Sequence, residues 1–442
     1  MTTVAPEPTT SDALIDELHA WLEQNWDPEI TLAEWWERLG LSGWAAPTLP
    51  ENAYGRGLSR PDASRVSMEI AKFGALGAPA GLGLMLAAPT IATHGTPEQI
   101  EAYVKDIVTG QKAWCQLFSE PGAGSDLAGL STKAVEENGE FIVNGQKVWT
   151  SGGQIADMGM LLARTDPSVP KHQGITWFAF DMNQPGVDVR PLREMTGHAL
   201  FSEVFFSDAH VGKEAIINGL NNGWAAANTT LMFERNSLGA GGGGGANFAP
   251  AGQKSGQLGR RVGDFAPKTD ASAQRRAPAG PRQRMSGATM FIGLAKGNGS
   301  WENPVIRQKL AHLHIIGEIG RLNTERHKAV RSSGGDIPGI ANISKLLMSE
   351  IVRLSRDLGL QIVGAQGLLA AQTPDEQKVI DDATGNPFLA GITGTALMAQ
   401  APPIYGGTDQ IQMNVIGERV LGLPKEPRTD NLLPFNEIPR NG

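Results

Sequence analysis

Three stretches of this 442-residue chain combine residues able to hold a ligand or govern a proton. The first is QLFSEPGAGSDLAG, Gln116 to Gly129. Gly122 and Gly124 let the backbone approach a ligand closely, while Ser119, Ser125 and main-chain N–H groups can hydrogen-bond it. The second, VNGQKVWTSGG, turns at Asn144-Gly145 and ends in Trp149-Thr150-Ser151, an aromatic face beside hydroxyls that suits a flat, polar-edged ring. The third, PIYGGTDQIQ, runs from an apolar approach through Gly406-Gly407 into what reads as the first turn of a helix. Neither glycine has a side chain that can take a proton. Asp409 stands where a helix start favours a carboxylate for capping or dipole reasons. His312 and His314 fall on different faces of a helix and do not make a metal pair.

These stretches need elements to position them, and the hydrophobic period changes twice along the chain. From Ser11 to about Gly110 the spacing is helical, with Thr31 and Glu34 offering a capping box. From about Trp114 to Gly223, short segments such as EFIVNGQKVWT and ITWFAFDM lie between NG, DP, QPG and SD turns and predict strands. Helical spacing then returns, with Ile306, Leu310 and Leu313 on one face and Ile343, Leu347, Ile351, Leu354 and Leu358 on another. The expected organisation is an N-terminal helical domain over 1–112, a central β domain over 113–223 and a C-terminal helical domain over 224–442.

Within the last zone, residues 240–299 are rich in Gly, Pro, Ala and Arg, which predicts a flexible surface insertion with little to pack. A competing expectation makes Arg260, Arg261, Arg275, Arg276, Arg282 and Arg284 a lid over a phosphate-bearing ligand. The net charge of -8 argues against a surface that tracks nucleic-acid phosphates. The single cysteine, Cys115, excludes an internal disulfide framework and a cysteine-rich metal site, and fits a reducing cytoplasm. No run approaches the roughly 18 apolar residues of a membrane span, and the first residues lack a secretory pattern.

Taken in order and spacing, EPGAGSD, NGQKVW, QIVGAQG and IYGGTDQIQ resemble the acyl-CoA dehydrogenase family from about Trp35 to Pro424. The resemblance implies an α+β fold with an N-terminal α-helical domain, a central β-barrel-like domain and a C-terminal four-helix bundle, with FAD between the last two. It implies that Phe118 and Ser119 contact the flavin ring, that Trp149 and Ser151 flank it near N5, and that Gly124 and Ser125 line the entry of the thioester arm. Gln361 and Gly364 would hold the FAD of a neighbouring subunit, and Thr408 and Gln410 the flavin nucleotide. Two departures stand out: Ala365 replaces a usual glycine, and the family's Arg-x-x-Phe-Gly segment has no clear counterpart, with Arg307 as a possible substitute.

A third departure concerns the base. Most of the family carries a glutamate where this chain has Gly406, whereas its long-chain and isovaleryl branches place that glutamate on the first helix of the C-terminal domain, before an arginine. Here TLMFERNSLGAG puts Glu234-Arg235 at that place. The implied reaction is abstraction of the α proton by Glu234, with the β hydrogen leaving as hydride, in an FAD-dependent acyl-CoA dehydrogenase of fatty-acid or related catabolism. Arg235 and the main-chain N–H of Gly406 would neighbour the thioester. Electron-transfer flavoprotein is the implied acceptor, and a homodimer or homotetramer the implied assembly. The alternatives are a catalytically silent FAD- or acyl-CoA-binding subunit of a hetero-oligomer and an oxygen-using flavin oxidase.

Overall fold

A computed structural model describes residues 11–239, 249–266, 287–427, 430 and 432–439. Helices Ser11–Asn25, Leu32–Leu41 and Arg60–Phe73 open the chain. The capping box forms: Thr31 Oγ1 accepts from the Glu34 N–H at 3.2 Å, and Glu34 Oε2 accepts from the Thr31 N–H at 2.9 Å. It starts a helix whose Leu32, Trp35, Trp36 and Leu39 are all buried. A further helical stretch, a π turn at Gly83–Ala87 continuing into Ala88–His94, supplies Leu86 and Ile91 to the adjoining core.

The period-2 segments form eight strands: β1 (Trp114–Leu117), β2 (Lys133–Glu137), β3 (Glu140–Ser151), β4 (Met158–Arg164), β5 (Ile175–Asp181), β6 (Val187–Leu192), β7 (Phe201–Gly212) and β8 (Ile216–Ile217). They order as β6-β7-β3-β2-β4-β5-β8, with β1 parallel to β4 in the register Gln116 to Met160. β4 is buried along its whole length, which accounts for its apolar run MGMLLA, and Arg164 at its end is buried as well.

After the helix Gly223–Gly239, helices Gly287–Gly297, Pro304–Ser332, Ile340–Val363 and Leu389–Met398 share a core of Phe291, Leu310, Leu313, Leu358, Ile362 and Leu389. Along the apolar stripe on Ile340–Val363, Leu358 is buried, Leu347, Ile351 and Leu354 are partly buried against that core, and Ile343 remains 39% exposed. No helix among the described residues is long and apolar enough to cross a membrane.

The structure differs from the composition-based expectation at residues 249–266. This part of the Gly- and Pro-rich stretch is pinned to the N-terminal helices: Leu32 N–H donates to Arg260 O, Ala33 N–H to Leu258 O, and Val262 N–H to Ile30 O at 2.8–3.0 Å. Ala249, Ala251 and Val262 are buried against Trp35 and its neighbours. A few small apolar side chains suffice because the backbone provides the attachment. Helical order also resumes at Gly287, before ENPVIRQ, because Ala288, Phe291 and Ala295 face the C-terminal core. The proposed arginine lid is not supported where it can be followed. Arg261 pairs with Glu29 and Asp264, and Arg260 with Asp264, on the surface. Arg275, Arg276, Arg282 and Arg284 lie outside the described residues.

Candidate active site

The first two sequence stretches are one physical unit. Lys147, fully buried on β3, donates through Nζ to Phe118 O at 3.0 Å and to Glu120 Oε1 at 2.8 Å. Glu120 in turn accepts from the N–H groups of Ser131 at 2.6 Å and Thr132 at 2.9 Å. Burial opposes its charge, but Lys147 and these donors hold its carboxyl below the ordinary range. Ser119 O accepts from the Val148 N–H at 2.9 Å. Phe118 is thereby buried and Ser119 half-buried, while Gly122, Gly124 and Ser125 are left on an exposed loop.

Trp149 is the strained residue of this unit. Its φ is 61°, in the left-handed region that non-glycine residues enter at a cost of roughly 1–3 kcal/mol. It sits in an irregularity of the β3–β7 pairing between Lys147 and Thr150. Trp149 is 58% exposed, and its indole meets the Phe201 ring edge-on, with ring centres 5.8 Å apart. Beside it, the cross-strand pair Thr150 and Ser202 is buried, and neither hydroxyl has a hydrogen-bond partner among the described residues. A held, exposed indole next to the half-buried Ser151 fits the flat ring of a flavin.

Glu234 approaches β1 from the helix Gly223–Gly239. That helix is fixed to the N-terminal helices by Thr230 Oγ1 at 3.0 Å from Thr90 Oγ1 and by Thr229 Oγ1 at 2.8 Å from His94 Nε2. One turn beyond Thr230, the half-buried Glu234 accepts a hydrogen bond from Gln116 Nε2 at 3.2 Å. Burial raises its pKa above the ordinary carboxylate value, against the lowering influences of Gln116 and Arg235. Although Arg235 is exposed as a residue, its guanidinium pKa is lowered, by burial first and by repulsion from Arg419, with Glu234 opposing.

That loop holds no free carboxylate. Gly406 and Gly407 have φ of 62° and 83°, and their carbonyls accept from Gln412 Nε2 at 3.0 and 3.2 Å. Thr408 caps the helix Asp409–Val415, accepting from the Ile411 N–H at 3.2 Å, and Gln410 is exposed. Asp409 is buried between Lys345 at 2.9 Å and Arg353 at 3.0 Å. Burial opposes its charge, but these cations keep its pKa low and commit it to the fold.

Gln361 and Gly364 stand apart from that loop. Gln361 is eight residues past Arg353, about 12 Å further along the helix axis, and accepts from Lys309 Nζ at 2.9 Å. Gly364 is exposed with φ of 59°, closing the helix. Arg307 donates to Trp301 O and Glu302 O at 3.0 and 3.1 Å, so it ties down the preceding turn. Sequence reasoning missed Gln116, whose only signal is a polar residue inside the otherwise apolar WCQL. Among the described residues no group of His, Cys, Asp and Glu is placed to hold a metal.

The chain matches the sequence models of three acyl-CoA dehydrogenase domains: the N-terminal domain over 9–111, the middle domain over 115–209 and the C-terminal domain over 293–421. It is 35% identical over 388 residues to the acyl-CoA dehydrogenase FadE34 of Mycobacterium tuberculosis, covering 88% of this chain but only 46% of that protein. It is 30% identical to the acyl-CoA dehydrogenase IpdE1 of the same organism, covering 89% of this chain and 88% of that one. Two solved structures share the fold. They are a Tcur3481-Tcur3483 steroid ACAD (24% identity, TM-score 0.64, covering 95% of this chain and 99% of that one) and the ChsE4-ChsE5 complex from Mycobacterium tuberculosis (23%, 0.61, 96% and 100%).

Proposed function

The chain belongs to the acyl-CoA dehydrogenase family of flavoprotein oxidoreductases, and on that premise we propose that it oxidises an acyl-CoA thioester to the trans-2-enoyl-CoA with Glu234 as base. The observation that carries the assignment is Glu234 itself: a half-buried carboxylate of raised pKa, held by Gln116 from the strand leading into EPGAGSD. Glu234 lies between the matched stretches, so its role rests on this geometry and on the resemblance.

FAD would supply the acceptor for the β hydride. Phe118, Ser119, Trp149, Ser151, Thr408 and Gln410 would hold it, with Gln361 and Gly364 serving the cofactor of a neighbouring subunit. Gly124, Ser125, Arg235 and the Gly406 N–H would receive the thioester. Gln116 orients the carboxylate, and the apolar surroundings raise its basicity toward that of an acidified α proton. Reduced cofactor would be reoxidised by an electron-transfer flavoprotein. The assembly would be a homodimer or homotetramer.

The test is an anaerobic visible spectrum during titration with acyl-CoAs, comparing wild type with Glu234→Gln. Bleaching of the oxidised flavin in wild type alone is the expected result; bleaching in both places the base elsewhere. A second reading, a subunit that binds the ligands without turnover, draws on the carboxylate-free loop at Gly406. Flavin that bleaches in neither protein would support it.

A further inference from the structure

A cleft of about 200 Å³ lies between the N-terminal helices and the end of β3. Leu82, Leu84, Trp114 and Ile155 line it, and Pro250 and Ala251 complete the wall. Its polar side chains are Ser151 and Lys112, and the Lys112 ammonium is paired with Asp106 at 3.2 Å. Apart from these two groups the side chains lining the cleft are apolar, and Ser151 is the residue assigned above beside the hydride acceptor.

The Pro250–Ala251 wall lies outside all three matched domain stretches, in the gap between residues 209 and 293. It is nonetheless firmly fixed. Pro250 bridges to Ala80, and the Gly252 N–H donates to Gly110 O at 2.9 Å. Asp157 Oδ2 accepts from the N–H groups of Ala113 at 2.9 Å and Gln253 at 3.0 Å, while Oδ1 accepts from Lys254 at 3.2 Å. Gly252 adopts φ of 90°, and a Cβ there would lie 2.4 Å from Asp157 Oδ2 and 2.6 Å from Ala113 Cβ. The segment can approach this closely only as glycine.

We propose that Pro250 and Ala251 bound the acyl end of the substrate, so that this added segment sets the limit on chain length. The inference rests on the acyl-CoA reading. Ligand pockets for whole drug-sized molecules run to about 300–1,000 Å³, so a cleft of about 200 Å³ suits the end of a chain rather than an entire thioester. On this proposal the reactive carbons lie toward Ser151 and the terminal methylenes toward Pro250.

Titration calorimetry on the full-length, flavin-loaded protein tests this with CoA, butyryl-, octanoyl- and palmitoyl-CoA. Wild-type affinity should rise by up to about fourfold per buried methylene until the cleft is full. Pro250 is exposed, so Pro250→Phe should fold; it is expected to weaken binding of the longer chains by about tenfold through overpacking, with CoA and butyryl-CoA little changed. Pro250→Gly removes bulk and should move the limit toward longer chains. A wild-type length profile in both variants overturns the proposal while leaving Glu234-dependent bleaching intact. Absence of acyl-CoA binding by wild type overturns both this inference and the acyl-CoA reading.

Discussion

At the residue scale, the proposed chemistry turns on one carboxylate whose pKa is set by competing neighbours. Burial favours protonated Glu234, and the Gln116 hydrogen bond favours the ionised form. A base must be ionised to act, so activity should fall with acidification through a pKa above the ordinary carboxylate value. In Gln116→Leu the opposing influence is lost, and the acid limb of kcat/KM should move to higher pH, together with a lower plateau; an unmoved limb would remove Gln116 from the site. Stability runs the opposite way with pH. Between the unfolded and the raised folded pKa, the native state binds more protons than the unfolded one, so the contribution of Glu234 to stability declines as pH rises through that window. Glu234 was singled out in the sequence through the family resemblance, together with its apolar approach and the glycine at 406. Gln116 was not, because its partner lies 118 positions away and no local pattern records such a pairing.

At the element scale, the Lys147–Glu120 pair joins β3 to the EPGAGSD loop. Removing one member strands a buried charge, so Lys147→Met should destabilise the protein by about 3–5 kcal/mol, read as a lower denaturant midpoint. Double replacement with apolar residues should recover part of that loss. The helix at Leu32–Leu41 offers a milder contrast: Thr31→Ala removes one cap, and a loss of about 1 kcal/mol is expected in the same measurement. Capping boxes and strand alternation can be read directly because they are local. The order within 249–266 could not, because its attachment is made by backbone groups of residues 28–33 and by the Asp157 carboxylate, none of which composition registers.

At the scale of the whole molecule, Ile315, Ile319 and Leu322 recur at helical spacing on Pro304–Ser332 and are 55%, 46% and 54% exposed. Such a stripe fits burial against another subunit. Sedimentation should give an even-numbered assembly for the wild type, and Ile319→Glu should shift it to a smaller species; an unchanged mass would place the subunit contact elsewhere. The three-zone plan was legible from the changes of hydrophobic period, whereas which surfaces close against a second copy depends on packing that the sequence of one chain does not mark.

The sole sulfhydryl of the chain, Cys115, is buried on β1 beside Gln116, and burial pushes its pKa up to about 12. A thiol so placed is silent toward alkylating reagents until β1 parts from β4. Its labelling rate is thus an internal clock for the opening of the strand that steadies the Glu234 carboxylate, and a ligand that closes the site should make that clock run slower.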